Sequence, residues 1–486
     1  MNWKVSKGSG NVSGSNRNVS RSNVNVTGSN RNCKMLKIKR NYHMNEPQLR
    51  IGIMYEPKIS FHLNGIYIFQ QNGKEYTGKQ EVVYTDGKIG FDGLRLSSEE
   101  LVFSPKYYEK GSFDLLDVTI GIKFHWERKE DQRFKGALHF ICENEKLTAI
   151  NVLSLEDYLI SVISSEMSAT SSMELLKAHA IISRSWLIAQ VLKGAELQKS
   201  KTKYQSIVET DQEYIRWYDR EDHVNFDVCA DDHCQRYQGI TKQSTQLVVD
   251  AIDATRGMVL TSEGKVCDAR FSKCCGGVAE TFENVWEPEN HKYLQAVIDN
   301  PKAPAGYDMN LKKEEVAEKW IRTSPEAFCN TTDKEILSQV LNDYDQETMD
   351  FYRWEVAYTQ GEISELIKRK TGKDFGQILD LIPVERGESG RLIKLKIVGK
   401  KRSLVIGKEL EIRKVLSESH LYSSEFVVDK VGEENGIPAK FILVGAGWGH
   451  GVGLCQIGAA VMGAKGYKFD EILLHYFRGA ELEKRY

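Results

Sequence analysis

The sequence predicts an α+β protein on three observations. Short β-branched and aromatic runs fill its first quarter, two amphipathic helical stretches follow, and strand-like runs return between loops toward the C-terminus. The early runs are Ile66-Tyr67-Ile68-Phe69, Glu81-Val82-Val83-Tyr84 and Val118-Thr119-Ile120-Gly121-Ile122, separated by the turn pairs Asn72-Gly73 and Asp86-Gly87. They outline a small β-rich unit over residues 44–124, with an α+β domain over 125–486 and a charged, possible inserted subregion around 300–380.

The helices can be placed by their caps. Ser154 with Asp157 resembles a capping box, and Leu155, Tyr158, Leu159, Val162 and Ile163 then form one apolar face. A second box, Ser171-Ser172-Met173-Glu174, opens a longer helix whose buried stripe runs through Met173, Leu176, Ala180, Leu187 and Val191. Strand-like pieces return in 256–272 and 390–415, and helical patterns close the chain near 454–465 and 469–477.

Residues 1–43 are low in complexity: Gly14-Ser15-Asn16-Arg17-Asn18 recurs as Gly28-Ser29-Asn30-Arg31-Asn32. Such a segment carries too little apolar surface to offset its ordering entropy, so a disordered leader is expected, and Met44 is a candidate true start. The leader has no apolar core of the kind a secretory signal needs, and no run approaches the roughly 20 apolar residues of a membrane-spanning helix. A net charge of −2 offers no global field to attract nucleic acid. Nine cysteines in 486 residues do not make a disulfide scaffold, and their clustering points to metal ligation and reduced thiols.

Several residues break the pattern around them. Glu166 follows Val162 by one turn and would extend the apolar stripe, where partial desolvation suits a proton-carrying acid. Periodicity alone favours a blander reading, a Glu rotated into water at a frayed helix end. Arg184 lies within the stripe of the second helix, with Lys177 two turns before it on the same side. Snorkelling basic chains are the default there, and the functional alternative is a basic pair that orients Glu166 or holds an anionic sugar substituent. In Gly445-Ala446-Gly447-Trp448-Gly449-His450-Gly451-Val452-Gly453-Leu454-Cys455-Gln456 the alternating glycines permit positive φ and close backbone approach. Trp448, His450 and Gln456 offer that loop a platform and polar groups. With no G-x-G-x-x-G spacing, a nucleotide cofactor is rejected. The stretch from Phe271 through Cys274-Cys275-Gly276-Gly277 to Glu280 and Glu283-Asn284-Val285-Trp286 suits the wall of a sugar groove, with Glu280 and Glu283 as polar contacts. Adjacent Cys274 and Cys275 are either a reactive pair or small buried residues.

His223, Cys229, His233 and Cys234 offer four zinc-type ligands within twelve residues. The spacing is not that of a zinc finger, and a Cys229–Cys234 disulfide competes, but without export signals a closed structural zinc is favoured. The absence of H-E-x-x-H and G-x-S-x-G motifs takes support from metalloprotease and serine hydrolase readings.

Three of these segments, in order, resemble the SpoIID/LytB family of sporulation and amidase-enhancer proteins. They are Leu155-Glu156-Asp157-Tyr158-Leu159 through Glu166-Met167, Leu176-Lys177-Ala178 and Arg184; Gly276-Gly277 through Glu280 to Trp286; and Gly447-Trp448-Gly449-His450-Gly451-Val452-Gly453 with Gln456 and Gly458. The resemblance covers about residues 125–480 and implies a SpoIID-like domain with a glycan-binding groove. It implies a peptidoglycan lytic transglycosylase that forms a 1,6-anhydro sugar, with Glu166 as general acid/base. The rival it implies is a non-catalytic, peptidoglycan-binding enhancer of a cell-wall amidase. It also implies a two-His, two-Cys zinc site and an extracytoplasmic location. Ser168 stands where the family motif has Pro, Asn284 where it has Asp, and Cys274-Cys275 where it has small polar residues.

Overall fold

Alternating burial builds the largest sheet. In the strand Lys58–Phe69 the side chains of Ile59, Phe61, Leu63, Tyr67 and Phe69 are buried, the period-two pattern of a half-buried strand. The computed structural model describes residues 45–97, 100–121, 127–168, 171–199, 206–218, 223–231, 234–241, 245–340 and 350–486, so the leader 1–43 and His233 lie outside the described residues.

The sheet has eleven strands. Its path runs Val228–Cys229, Gln48–Glu56, Lys146–Ser154, Ala137–Glu143, Leu101–Pro105, Lys58–Phe69, Glu75–Thr85, Lys88–Phe91 and Leu94–Ser97, with Ser112–Ile120 and Arg128–Lys135 branching from Lys58–Phe69. The expected boundary at residue 124 therefore runs through this sheet. Lys146–Ser154 pairs antiparallel with Gln48–Glu56 along its whole length, from Gln48 opposite Ser154 to Glu56 opposite Leu147. The early strands and the strand that delivers the chain to Glu166 thus share one hydrophobic core.

Nine helices are described: α1 (Leu155–Glu166), α2 (Met173–Lys199), α3 (Gln246–Ala254), α4 (Glu314–Arg322), α5 (Lys334–Val340), α6 (Gln360–Thr371), α7 (Glu409–Val415), α8 (Gln456–Ala464) and α9 (Phe469–Tyr476). The Ser154 hydroxyl caps α1 by accepting the Asp157 N–H at 3.3 Å, and all five residues of the α1 apolar stripe are buried. Ser172 starts α2 by accepting the Leu175 N–H. Glu174, by contrast, reaches across to the Phe469 N–H at the start of α9.

A second core gathers Trp354, Ile363, Ile367, Phe375, Leu395, Phe441 and Leu443. It is served by the three-stranded sheet Arg353–Thr359, Lys440–Ala446, Phe426–Val431 and by a five-stranded sheet that includes Ile378–Arg386 and Leu392–Gly399. The apolar residues between 354 and 378 are thereby built into the same core as residues 381–443. Strand-like pieces were expected in 390–415: Leu392–Gly399 and Ser403–Gly407 are strands, whereas 409–415 is the helix α7, whose buried Ile412 and Val415 keep an i, i+3 spacing.

Candidate functional site

Glu166 is the last residue of α1, half-buried, and its carboxylate accepts the Arg236 N–H at 3.2 Å. The segment that supplies this donor lies along α1 residue by residue. The Tyr237 ring stacks on Tyr158 at 5.0 Å, and the Gln238 N–H donates to the Ser161 hydroxyl at 3.2 Å. Beyond Glu166, the Met167 sulfur sits 3.8 Å from the Gln456 carboxamide nitrogen. That nitrogen also lies 3.1 Å from His179 Nε2 in α2. As the amide is a donor, His179 Nε2 accepts, and its Nδ1 donates to the Ser183 hydroxyl at 3.3 Å. Burial, with Lys273 nearby, pushes the His179 imidazole down to about 3, so the ring is neutral.

The glycine-rich loop leaves the strand Lys440–Ala446 and ends in Leu454–Cys455, which pairs parallel with Phe271–Ser272. Trp448 and Cys274 exchange backbone hydrogen bonds, and the Glu280 N–H donates to the Gly451 carbonyl, so the two motif segments run side by side. Gly447, Gly449, Gly451 and Gly453 all have positive φ. What lies beneath them explains the glycines: a Cβ on Gly451 would meet the Arg391 guanidinium at 2.5 Å, and one on Gly453 the Arg270 carbonyl at 2.1 Å. Arg391 is fully buried, paired with Glu425 at 3.1 Å and bonded to the Cys275 carbonyl. The alternating glycines were expected to allow close backbone approach. At Gly447 and Gly451 the loop wraps the buried Arg391, and at Gly453 it closes on the Arg270 carbonyl.

Trp448 and His450 are each partly exposed and pack against neighbouring rings. Trp448 stacks against Tyr422 at 4.2 Å and Phe351 at 4.8 Å. His450 Nδ1 accepts the Val452 N–H at 3.0 Å, the ring hydrogen-bonds the Phe271 backbone, and its edge meets Trp286 at 5.0 Å. Burial, then Arg270, Arg413 and Arg391, push this imidazole down to about 3. Gln456 is buried and joins α8 to both helices beside Glu166.

Four of the expected substrate contacts serve other purposes. Arg184 is fully buried, and its guanidinium grips Glu156 through two bonds of 2.9 and 2.7 Å and donates to the Met258 carbonyl. It is a core ion pair and cannot orient Glu166. Lys177 pairs with Glu174 at 3.2 Å and lies over the Phe469 ring, which ties α2 to α9. Glu280 is fully buried and clamps the 388–389 turn, accepting the Glu388 and Ser389 N–H groups and the Ser389 hydroxyl. Glu283 accepts from Asn290 and, with Asn284, Lys312, Arg386 and Glu388, lines an open cleft of about 430 Å³ that Glu166 does not border.

Among the described residues, three of the four expected metal ligands come together. Ligand atoms of His223, Cys229 and Cys234 lie within 4.8 Å of one another, with Cys234 Sγ 3.5 Å from His223 Nε2. Val228–Cys229 pairs parallel with Ile51–Gly52, which holds this loop on the sheet edge. Two thiols and an imidazole at this separation fit a tetrahedral zinc set that leaves one ligand position.

Glu156, His179, Arg391 and Glu425 escaped the sequence reading. Glu156 stood inside a quoted motif, and a buried Arg one helix later is the signal that could have paired it.

Residues 143–262 match the family model described as Stage II sporulation protein, and residues 280–453 match a Domain of unknown function (DUF8618). The first match contains Glu166 and the metal loop, and the second contains the glycine-rich loop up to Gly453. The chain is 26% identical over 349 residues to an uncharacterized protein of Brachyspira hyodysenteriae, covering 72% of each chain. It is 23% identical over 340 residues to the stage II sporulation protein D of Bacillus subtilis, covering 69% of this chain and 76% of that one. It is 24% identical over 247 residues to the amidase enhancer of Bacillus subtilis, covering 48% of this chain and 32% of that one. Residues 143–262 thus carry the Stage II sporulation protein domain, and these similarities, with the Glu166 segment, the Gly276-Gly277 segment and the glycine-rich loop bonded into one assembly, support membership of the SpoIID/LytB family.

Proposed function

We propose that this chain is a peptidoglycan lytic transglycosylase acting outside the cytoplasm, with Glu166 as its general acid/base. The observation that carries the reading is the placement of Glu166. It is a half-buried carboxylate at a helix end, held by the Arg236 N–H and adjoined through Met167 to the glycine-rich loop. One carboxyl serves both halves of the reaction. Protonated, it gives its proton to the glycosidic oxygen as the oxocarbenium-like state forms. Ionised, it takes the proton of the sugar's C6 hydroxyl, which attacks the anomeric carbon and closes the 1,6-anhydro ring. No second carboxylate nucleophile is required, and holding that hydroxyl near the anomeric carbon supplies an intramolecular advantage.

His223, Cys229, His233 and Cys234 would hold a structural zinc in this reading. The chain's own part is mechanical: Cys234 lies two residues before Arg236, so fixing the loop fixes the donor that aims Glu166. Trp448, which keeps part of its surface exposed, is the candidate for sugar contact.

Similarity to an amidase enhancer supports a second reading, a non-catalytic peptidoglycan-binding protein that stimulates a cell-wall amidase. Mass spectrometry of purified peptidoglycan after incubation with the protein separates the two. Anhydro-terminated glycan fragments are expected. Intact strands, with faster release of stem peptides only when an amidase is added, would replace the first reading with the second.

A further inference from the structure

Away from the His223 loop, four buried side chains bring their ligand atoms together. Those of Cys275, Asp299, Cys329 and Cys455 all lie within 4.8 Å of one another, and none of the four residues is more than 1% exposed. They come from separate parts of the chain. Cys275 follows the strand Phe271–Ser272, Asp299 lies in a turn, Cys329 follows α4, and Cys455 caps α8.

The spacing argues for an ion between them. The Cys275 and Cys329 sulfurs are 3.7 Å apart. A disulfide needs about 2.05 Å, with the sulfurs in direct bonding distance. A tetrahedral zinc with Zn–S bonds of about 2.3 Å separates its sulfurs by about 3.8 Å. The surroundings also suit anionic ligands. Cys455 Sγ accepts the Cys275 N–H at 3.2 Å and sits at the N-terminus of α8, where the helix dipole favours negative charge. Asp299 is oriented by the Tyr476 hydroxyl at 2.6 Å and the Cys329 N–H at 2.8 Å, the outer bonds that aim a ligating carboxylate. A divalent cation would take these groups as deprotonated ligands, releasing their protons on binding.

We propose that Cys275, Cys329, Cys455 and Asp299 bind a structural zinc ion, which pins the exit of the glycine-rich loop to the 271–275 segment and to the chain after α4. The ligand set is three soft sulfurs and one oxygen, which selects zinc over calcium or magnesium. This site stands whether or not the chain cleaves glycan.

The test is zinc content per chain for the full-length protein purified with reductant and zinc, compared with Cys329→Ser and Cys229→Ser. Cys329→Ser should hold about one zinc fewer than wild type, the loss of one four-ligand site, while Cys229→Ser keeps that ion. Because Cys329→Ser could fail to fold, maleimide labelling of the wild-type chain gives a second reading. Cys275, Cys329 and Cys455 should resist labelling until a zinc chelator is added. Equal zinc in Cys329→Ser and wild type, labelling indifferent to chelator, or a Cys275–Cys329 disulfide under reductant would each overturn the proposal.

Discussion

The Gln456 carboxamide stands 3.1 Å from His179 Nε2 and 3.8 Å from the Met167 sulfur, so the first residue of α8 is bonded to both helices that flank Glu166. This contact joins the glycine-rich motif to the Glu166 motif. Gln456→Leu keeps the volume but leaves His179 Nε2 buried without a donor. A loss of about 1–3 kcal/mol is expected, the usual cost of an unsatisfied buried group. Urea denaturation measures it, and an unchanged midpoint would show that the link is dispensable.

His179 makes stability depend on pH. Its folded value of about 3 lies below the unfolded 6.5, so the native ring stays neutral while the unfolded one takes up a proton. The sign follows: its contribution is complete above pH 6.5 and is lost as pH falls toward 3, at about 1.4 kcal/mol per pH unit for one proton. Denaturation midpoints at several pH values in that window should fall less steeply for His179→Gln. An unchanged slope would mean that His179 is protonated in the fold.

Arg184 and Glu156 form a sealed pair, further bonded by the Gly257 N–H and the Tyr486 hydroxyl. Removing one partner strands a buried charge, so Arg184→Leu should lose about 3–5 kcal/mol. The defect should appear in calorimetry before any change in KM. A stable Arg184→Leu protein with weakened glycan binding would return Arg184 to the substrate site.

The glycine loop allows a paired comparison. Gly451 and Gly466 both have positive φ, but only Gly451 faces a buried group, the Arg391 guanidinium at 2.5 Å, whereas Gly466 has nothing within 4 Å. Gly466→Ala should cost about 1 kcal/mol of backbone strain. Gly451→Ala should cost several times more, since Arg391 must move away from Glu425. Thermal melts of the two variants decide, and equal losses would show that strain alone explains both.

Local signals were legible in the sequence and distant partnerships were not. The α1 cap and stripe depend on neighbours within one or two turns, and Ser154, Tyr158 and Val162 sit where their spacing predicted. The glycine-rich loop stood out, but Gly447 and Gly451 answer to Arg391, an unremarkable residue until the fold brings it beneath them. Arg184 was visible as an oddity, while its partner Glu156 lies 28 residues away on another helix. The buried thiols are harder still, with 54 residues between Cys275 and Cys329 and 180 between Cys275 and Cys455. The strands before residue 124 looked separate because their pairing with Lys146–Ser154 leaves no mark in either segment alone.

The central claim is that the Glu166 carboxyl moves the proton, and Glu166→Gln tests it most directly. The amide keeps the side-chain shape and can still meet the Arg236 N–H through its oxygen, so the fold should melt as wild type does. Release of 1,6-anhydro-terminated products from purified glycan strands, followed by mass spectrometry, should then slow by ~10²–10⁴-fold, the usual contribution of a general acid/base. Anhydro products released at the wild-type rate by a folded Glu166→Gln protein would contradict the account.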